Sequence, residues 1–398
     1  MQRLSIITLT LVLLAGCEAC GAASPTEQSV ETVVASGSEA CVYVEKAAGP
    51  QGSVAIRVEV VAKGLEVPWG IAFLPSGEML VTQRPGKVVL VDKQGTVSAP
   101  VAEPSISAAA EGGLLGIALS PSFSADRQFF LYMTGKSSGR DANRIERWKL
   151  ADDNKSATLD KVVLDGIPAA KYHDGGRIRF GKDGMLYVGT GDGREPKRSQ
   201  DKADLAGKIL RITRDGDIPK DNPIAGSAAY LTGIRNCQGF DWLDDGSLVV
   251  TDHGPSGEHN GWSGHDEVTV ARAGENLGWP EVHGCDPLEG ARAPSLTWRE
   301  ASPPGGAAVY TGSAIPEWKG ALVIGSLKSE HLHVVYFDAQ NPRTRIAKHE
   351  VYLAGDQGKG RLRETVMGPD GNLYVTTSNC DGRGECGADK DLILRITK

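Results

Sequence analysis

The sequence predicts an all-β fold, a six-bladed β-propeller of four-stranded antiparallel blades, and three observations carry that prediction. Of 398 residues, 50 are Gly, well above the average share and without the three-residue period of collagen, so the excess belongs in tight turns. From about Val54 onward no convincing run of helical period appears. One unit keeps returning instead: an apolar strand, a turn built of Pro, Asp or Ser with Gly, and a second apolar strand. A sandwich of two sheets is the structural rival, but it rarely needs so regular a hairpin signature.

The unit reads IAFLPSGEMLVT at 71–82, IRFGKDGMLYV at 178–188, FDWLDDGSLVV at 240–250 and VMGPDGNLYV at 366–375. Two weaker copies occupy 115–133 and 309–324. Six copies at long, uneven spacing fit blades that are four-stranded meanders. The propeller is therefore expected over 54–398.

Ahead of it, residues 1–16 hold one basic residue, Arg3, and an apolar run too short to span a bilayer. That run ends Leu14-Ala15-Gly16-Cys17, which resembles the bacterial lipobox, where the cysteine is lipidated and becomes the mature N-terminus. An ordinary secretory signal is the rival, and either reading exports the chain, to the periplasm or cell envelope. Residues 17–53, rich in Ala, Ser, Gly, Glu and Thr, read as a lipid-anchored flexible tether.

Without Cys17, six cysteines remain: Cys20, Cys41, Cys237, Cys285, Cys380 and Cys386. In an oxidising compartment an even number favours disulfides. Cys380 and Cys386 flank the turn-forming DGRGE, which brings them together; the other pairings stay open. Zinc is the rival, without CxxC pairs or a His at ligand spacing to support it.

Charged residues make up 23% and hydrophobic ones 40%, which excludes disorder for most of the length. The formal net charge is −7, and Lys and Arg form no basic stripe, so nucleic acid is not an expected partner.

In a propeller, polar residues at hairpin ends converge on the central channel. A turn at Lys182-Asp183 sets Gly181 opposite Gly184 and, counting outward, His173 opposite Asp192. A His beside a carboxylate is a poised general base, although a surface His near a turn Asp gives the same pattern. Arg361 and Arg363, two apart on a strand, share one face. Two adjacent guanidinium groups repel unless an anion lies between them, and with Lys328 they suggest a polyanionic ligand. Arg235-Asn236-Cys237-Gln238 precedes an apolar strand, and His253-Gly254-Pro255 offers turn carbonyls near Asp266-Glu267, an oxygen set suited to Ca²⁺. Taken singly, each is also read as a rim residue, a salt-bridge partner or an ordinary turn. No phosphate loop, dinucleotide fingerprint or serine nucleophile elbow is present.

Taken together these stretches resemble the soluble pyrroloquinoline quinone (PQQ) dependent glucose and aldose sugar dehydrogenases. The matches run in family order over 54–398: VPWG at 67–70, QRPG at 83–86, EGGLLG at 111–116, His173 with Gly175-Gly176-Arg177, Gly191-Asp192 and LAGKILR at 205–211. They continue with Arg235-Asn236 and Gln238-Gly239, His253-Gly254-Pro255, Asp266-Glu267-Val268, NLGWP at 276–280, Ser326-Leu327-Lys328, Arg361 with Arg363, and Thr377-Ser378-Asn379. The resemblance implies a six-bladed propeller. It implies that His173 takes the sugar hydroxyl proton as hydride passes to PQQ, with Asp192 in support and Arg235 at the reduced quinone oxygen. Asn236, Gln238, Lys328, Arg361 and Arg363 would hold PQQ, the Gly254 and Pro255 carbonyls with Glu267 would hold Ca²⁺, and Gln83 would contact the aldose. Electrons would go on to an external acceptor such as a quinone, cytochrome or dye.

Three features depart from the family pattern. Cys237 stands where Pro is usual, Ala301 replaces a hydroxyl contact to PQQ, and about seven extra residues, 258–264, with His259, Asn260 and Trp262, lie beside the expected metal. A Ca²⁺-dependent propeller lactonase is the alternative function, but it would centre its metal on side-chain carboxylates and Asn without needing the cation set. A non-catalytic binding propeller is the third reading, since fold does not fix activity.

Overall fold

The computed structural model describes residues 31–36 and 39–398. All six expected hairpins form, each as the inner half of a four-stranded antiparallel blade. Blade I comprises Pro68–Phe73, Met79–Gln83, Lys87–Val91 and Val97–Ala102; blade II Leu114–Leu119, Gln128–Ser137, Arg140–Leu150 and Ala157–Pro168. Blade III comprises Ile178–Phe180, Leu186–Gly189, Ile209–Ile212 and Ala229–Leu231; blade IV Cys237–Trp242, Leu248–Asp252, Asp266–Ala271 and Leu296–Trp298. Blade V is Pro304–Val309, Leu322–Ser326, Leu332–Phe337 and Ile346–Tyr352. Blade VI takes Leu362–Met367, Leu373–Thr377 and Asp391–Thr397 from the end of the chain and Arg57–Leu65 from its beginning. That shared sheet closes the ring.

The four strong hairpins turn alike. Gly77, Gly184, Gly246 and Gly371 sit at φ 93°, 74°, 82° and 77°, and each amide donates to the carbonyl three residues back, at 2.8 to 3.0 Å. Only glycine adopts that backbone without strain.

Alternating side chains of each strand point to opposite neighbouring blades. Leu80 faces blade II, while Met79 and Val81 face blade VI. The core is accordingly a ring of six apolar clusters, one in each gap between blades. Innermost strands crowd together at the axis: a Cβ on Gly116 would stand 2.2 Å from the Gly176 carbonyl oxygen. At the axis Arg177 pairs with Glu364, both buried, and lies 4.4 Å over the Trp69 ring.

Two expectations need correction. The stretch 17–53, expected as tether, holds structure from residue 31: Glu31–Ser36 pairs with Glu39–Val44, which adds in parallel to Leu296–Trp298 and extends blade IV to six strands. Cys41 through Val44 are buried, and Cys41 is bonded to Cys285. A short strand amid small polar residues gives too weak a pattern to be seen without its partner. Cys380 and Cys386 are paired as expected, but Cys237 is a free, buried thiol packed on Gly189. Residues 1–30, including Cys17 and Cys20, lie outside the described residues.

Candidate active site

The loops at one end of the inner strands surround two adjoining chambers of about 640 and 210 Å³, the larger within the usual size of small-molecule sites. Both are bordered by Glu111, Tyr172, His253, Leu327 and Arg383.

His173 reaches the outer chamber from the loop before blade III, not from a strand end. The hairpin register is one residue off the count, pairing Ile178 with Val188. The pair forms nonetheless, because the loop bends back with His173 at φ 68°, a backbone held by its surroundings. His173 Nδ1 lies 2.7 Å from Asp192 Oδ1. Asp192 is fully buried and accepts further hydrogen bonds from the Arg194 amide at 2.8 Å and Trp279 Nε1 at 2.9 Å. A carboxylate oxygen accepting at Nδ1 sets the tautomer with the proton there and leaves Nε2 facing the chamber. The His173 amide is held by Glu111 Oε2 at 3.1 Å. Burial works to raise the Glu111 carboxyl, but the adjacent His253, this amide and the cation Arg383 outweigh it and keep it below the usual value.

Arg235 and Asn236 enter from the start of blade IV. Both amides are pinned by Asp252, at 2.8 and 2.6 Å. The Arg235 guanidinium pairs with Glu258 and with the His253 carbonyl at 3.2 Å. Asn236 and Gln238 hydrogen-bond each other at 3.2 Å, Asn236 facing the outer chamber and Gln238 the inner. His253 Nε2 donates to the Pro304 carbonyl at 2.7 Å, and burial lowers its pKa to about 4, so the ring is neutral.

The opposite wall comes from blades V and VI. Arg361 and Arg363 are brought together as expected, and the anion between them is the protein's own Asp381, 3.0 and 3.4 Å away. Arg363 also donates to Ser378 Oγ at 2.9 Å. Burial lowers the Arg363 pKa to about 10, still cationic at neutral pH. Burial favours a neutral Asp381, but Arg363 and Arg361 prevail and hold it ionised. Asp381 lies inside the loop closed by Cys380 and Cys386. Exposed Lys328 projects over the outer chamber and makes no ion pair among the described residues. Ala301 lines the same chamber, while Ser302 Oγ is turned away to Ser329 Oγ at 2.6 Å.

Not every candidate reaches the cavity. Gln83 is buried and accepts from the Glu66 amide, leaving its neighbour Arg84 to line the inner chamber. Glu267 stands behind the wall made by Gly254 and Pro255, facing with them and Asp252 a space of about 10 Å³. Burial raises the carboxyls of Asp252 and Asp266 to about 6 and that of Glu267 well above its ordinary value. Burial is the main cause at all three, with repulsion from neighbouring carboxylates adding to it. The Pro255 carbonyl already accepts from the Gly264 amide at 3.0 Å, and no group of three or more His, Cys, Asp or Glu side chains with metal-holding geometry occurs among the described residues. Carbonyl and carboxylate oxygens border the space, which suits a hard cation; the side chains alone do not build a cage. The cation wall, two amides and cavity size fit a flat polycarboxylate such as PQQ.

Sequence reasoning missed Glu111, Glu258, Asp381 and Trp279 as site residues. Asp381 carried a signal, since a short disulfide loop fixes the carboxylate it contains.

The chain is similar to known sugar dehydrogenases. A family model described as Glucose / Sorbosone dehydrogenase matches residues 65–394. Aldose sugar dehydrogenase YliI of Escherichia coli K12 is 30% identical over 354 residues, covering 82% of this chain and 91% of that protein. The crystal structure of an oxidoreductase described as a glucose dehydrogenase, from Thermus thermophilus, is 42% identical with a TM-score of 0.78, covering 86% of this chain and 100% of that one. The PQQ-bound aldose sugar dehydrogenase of Streptomyces coelicolor is 34% identical with a TM-score of 0.77, covering 88% and 99%. With a family model matching most of its length and a relative 30% identical over 82% of it, the chain belongs to the glucose/sorbosone dehydrogenase family.

Proposed function

We infer that the protein oxidises aldose sugars at the anomeric carbon to lactones, using PQQ and Ca²⁺ and passing electrons to an external quinone, cytochrome or dye. One observation carries the reading: a base whose Nδ1 is tied to a buried carboxylate faces a cavity whose far wall presents Lys328, Arg361 and Arg363.

His173 Nε2 accepts the proton of the reacting hydroxyl. Asp192 holds the ring in the right tautomer and stabilises the imidazolium that forms, as Trp279 and the Arg194 amide keep that carboxylate oriented. Lys328, Arg361, Arg363, Asn236 and Gln238 would hold PQQ, and Arg235 would stabilise charge on its reduced form. Gly254, Pro255 and Glu267 would hold Ca²⁺, and Gln83 would reach the sugar only after leaving Glu66. When bound, PQQ supplies a hydride-accepting quinone and Ca²⁺ polarises it as a Lewis acid.

The same reading places the protein in the periplasm or cell envelope, anchored by lipid on Cys17; mass spectrometry of the mature N-terminus tests that. The function is tested by adding PQQ and Ca²⁺ to purified apo-protein and recording dye reduction with a panel of aldoses. Reduction that needs both PQQ and an aldose supports the reading, and none with any aldose, once PQQ binding is demonstrated, refutes it.

A further inference from the structure

The extra residues after Gly257 build an arm over the active site. Ser256 bridges Ser263, the Gly257 amide donates to the Trp262 carbonyl at 2.7 Å, and the Gly264 amide donates to Pro255 at 3.0 Å. Trp262 stacks on His283 at 4.0 Å between centroids and 4° between planes, fixing the arm to the loop beyond blade IV's third strand. At its start Glu258 turns into the outer chamber. Its Oε2 accepts from the Ser256 amide at 2.7 Å, and its Oε1 accepts from Arg235 Nε at 2.8 Å. The same Oε1 lies 4.0 Å from His173 Nε2.

A 4.0 Å gap is too wide for direct transfer and is spanned by one oxygen at hydrogen-bonding distance from both atoms. Where it borders the chamber the base is little exposed: the His173 side chain is 8% exposed and that of Asp192 0%, while that of Glu258 is 18% exposed. The base therefore needs a way to return its proton to solvent, and the arm supplies a carboxylate on the side of the ring that Asp192 leaves free.

We propose that Glu258 is a positioning residue of this site, the relay through which His173 discharges its proton to solvent after each turnover. This rests on His173 being the base. The imidazolium Nε2–H bond breaks as a bridging water takes the proton, and that water's own proton passes to Glu258 Oε1. The resulting carboxylic acid ionises to bulk water, which restores the neutral ring and the carboxylate. Arg235 keeps Glu258 ionised between turnovers: burial works to raise its carboxyl, and the guanidinium outweighs it.

The test uses the full-length chain with Glu258→Gln and Glu258→Asp. In apo-protein, nitrogen NMR follows the titration of His173. Loss of the facing charge in Glu258→Gln lowers its midpoint by about one pH unit, while Glu258→Asp keeps the parent's midpoint more nearly. In PQQ-loaded protein, Glu258→Gln slows dye reduction about tenfold or more, and added formate or acetate restores the rate in proportion to its concentration. A His173 titration unchanged in Glu258→Gln, or a parental rate without added base, overturns the proposal. Should the loaded parent reduce no dye with any aldose, the sugar-oxidation reading fails, and the His173 titration still decides the role of Glu258.

Discussion

The two walls of the cavity are built on opposite principles. On the side of blades III and IV, the His173 ring is oriented from behind, by Asp192 on Nδ1, and its other nitrogen is left to face the chamber. On the side of blades V and VI, two buried cations are held by an internal anion that occupies the very groups a ligand would use. A base is readied by contacts that do not compete with its substrate. A cation cluster cannot be readied that way, because buried guanidinium groups without an anion are too costly to fold. Asp381 keeps the wall intact and, in doing so, sets a rival to any incoming carboxylate.

The comparison breaks most visibly at Asp192. Asp192→Asn removes the charge that stabilises the imidazolium and fixes the tautomer, and turnover should fall by about two to four orders of magnitude with PQQ affinity kept. Steady-state dye reduction beside a PQQ titration checks this. Asp381→Ala acts on folding instead: it leaves two nearly buried guanidinium groups unpaired, at about 3–5 kcal/mol, read as a lower melting temperature. PQQ should raise that melting temperature more in the variant than in the parent, since its carboxylates replace the missing anion.

How far the sequence reached differs between the walls for the same reason. Hairpins and the His173 and Asp192 pair were legible because they are local, with turn chemistry and a nearby partner in one stretch. The pair survived a register error of one residue because the loop, not the strand, places His173. Arg361 and Arg363 were legible as neighbours, while their anion was not, because it lies on another loop. The strand Glu39–Val44 and the Cys41 to Cys285 bond were hidden by a sequence separation of 244. Glu258 stood in a visible insertion whose fold no periodicity announces.

A smaller effect concerns the carboxyls near Gly254. Burial raises Asp252 and Asp266 to about 6, above their unfolded values. The folded state then binds more protons than the unfolded chain between about pH 4 and 6. Stability should therefore fall as pH rises through that window. On the proposed function Ca²⁺ would bind beside these carboxyls, where it should raise the melting temperature of apo-protein more at pH 7, with them ionised, than at pH 5. An equal shift at both pH values would detach the metal from these carboxyls.

The central claim is that the two walls divide the work, one performing chemistry and the other binding. It is tested most directly by titrating PQQ into apo-protein at fixed Ca²⁺ and then measuring dye reduction, with His173→Ala and Arg361→Ala side by side. The account predicts that His173→Ala binds PQQ like the parent and loses about two to four orders of magnitude in turnover. Arg361→Ala should bind about ten to a hundredfold more weakly and recover much of its turnover in excess PQQ. Parental PQQ affinity in Arg361→Ala, or parental turnover in loaded His173→Ala, would contradict it.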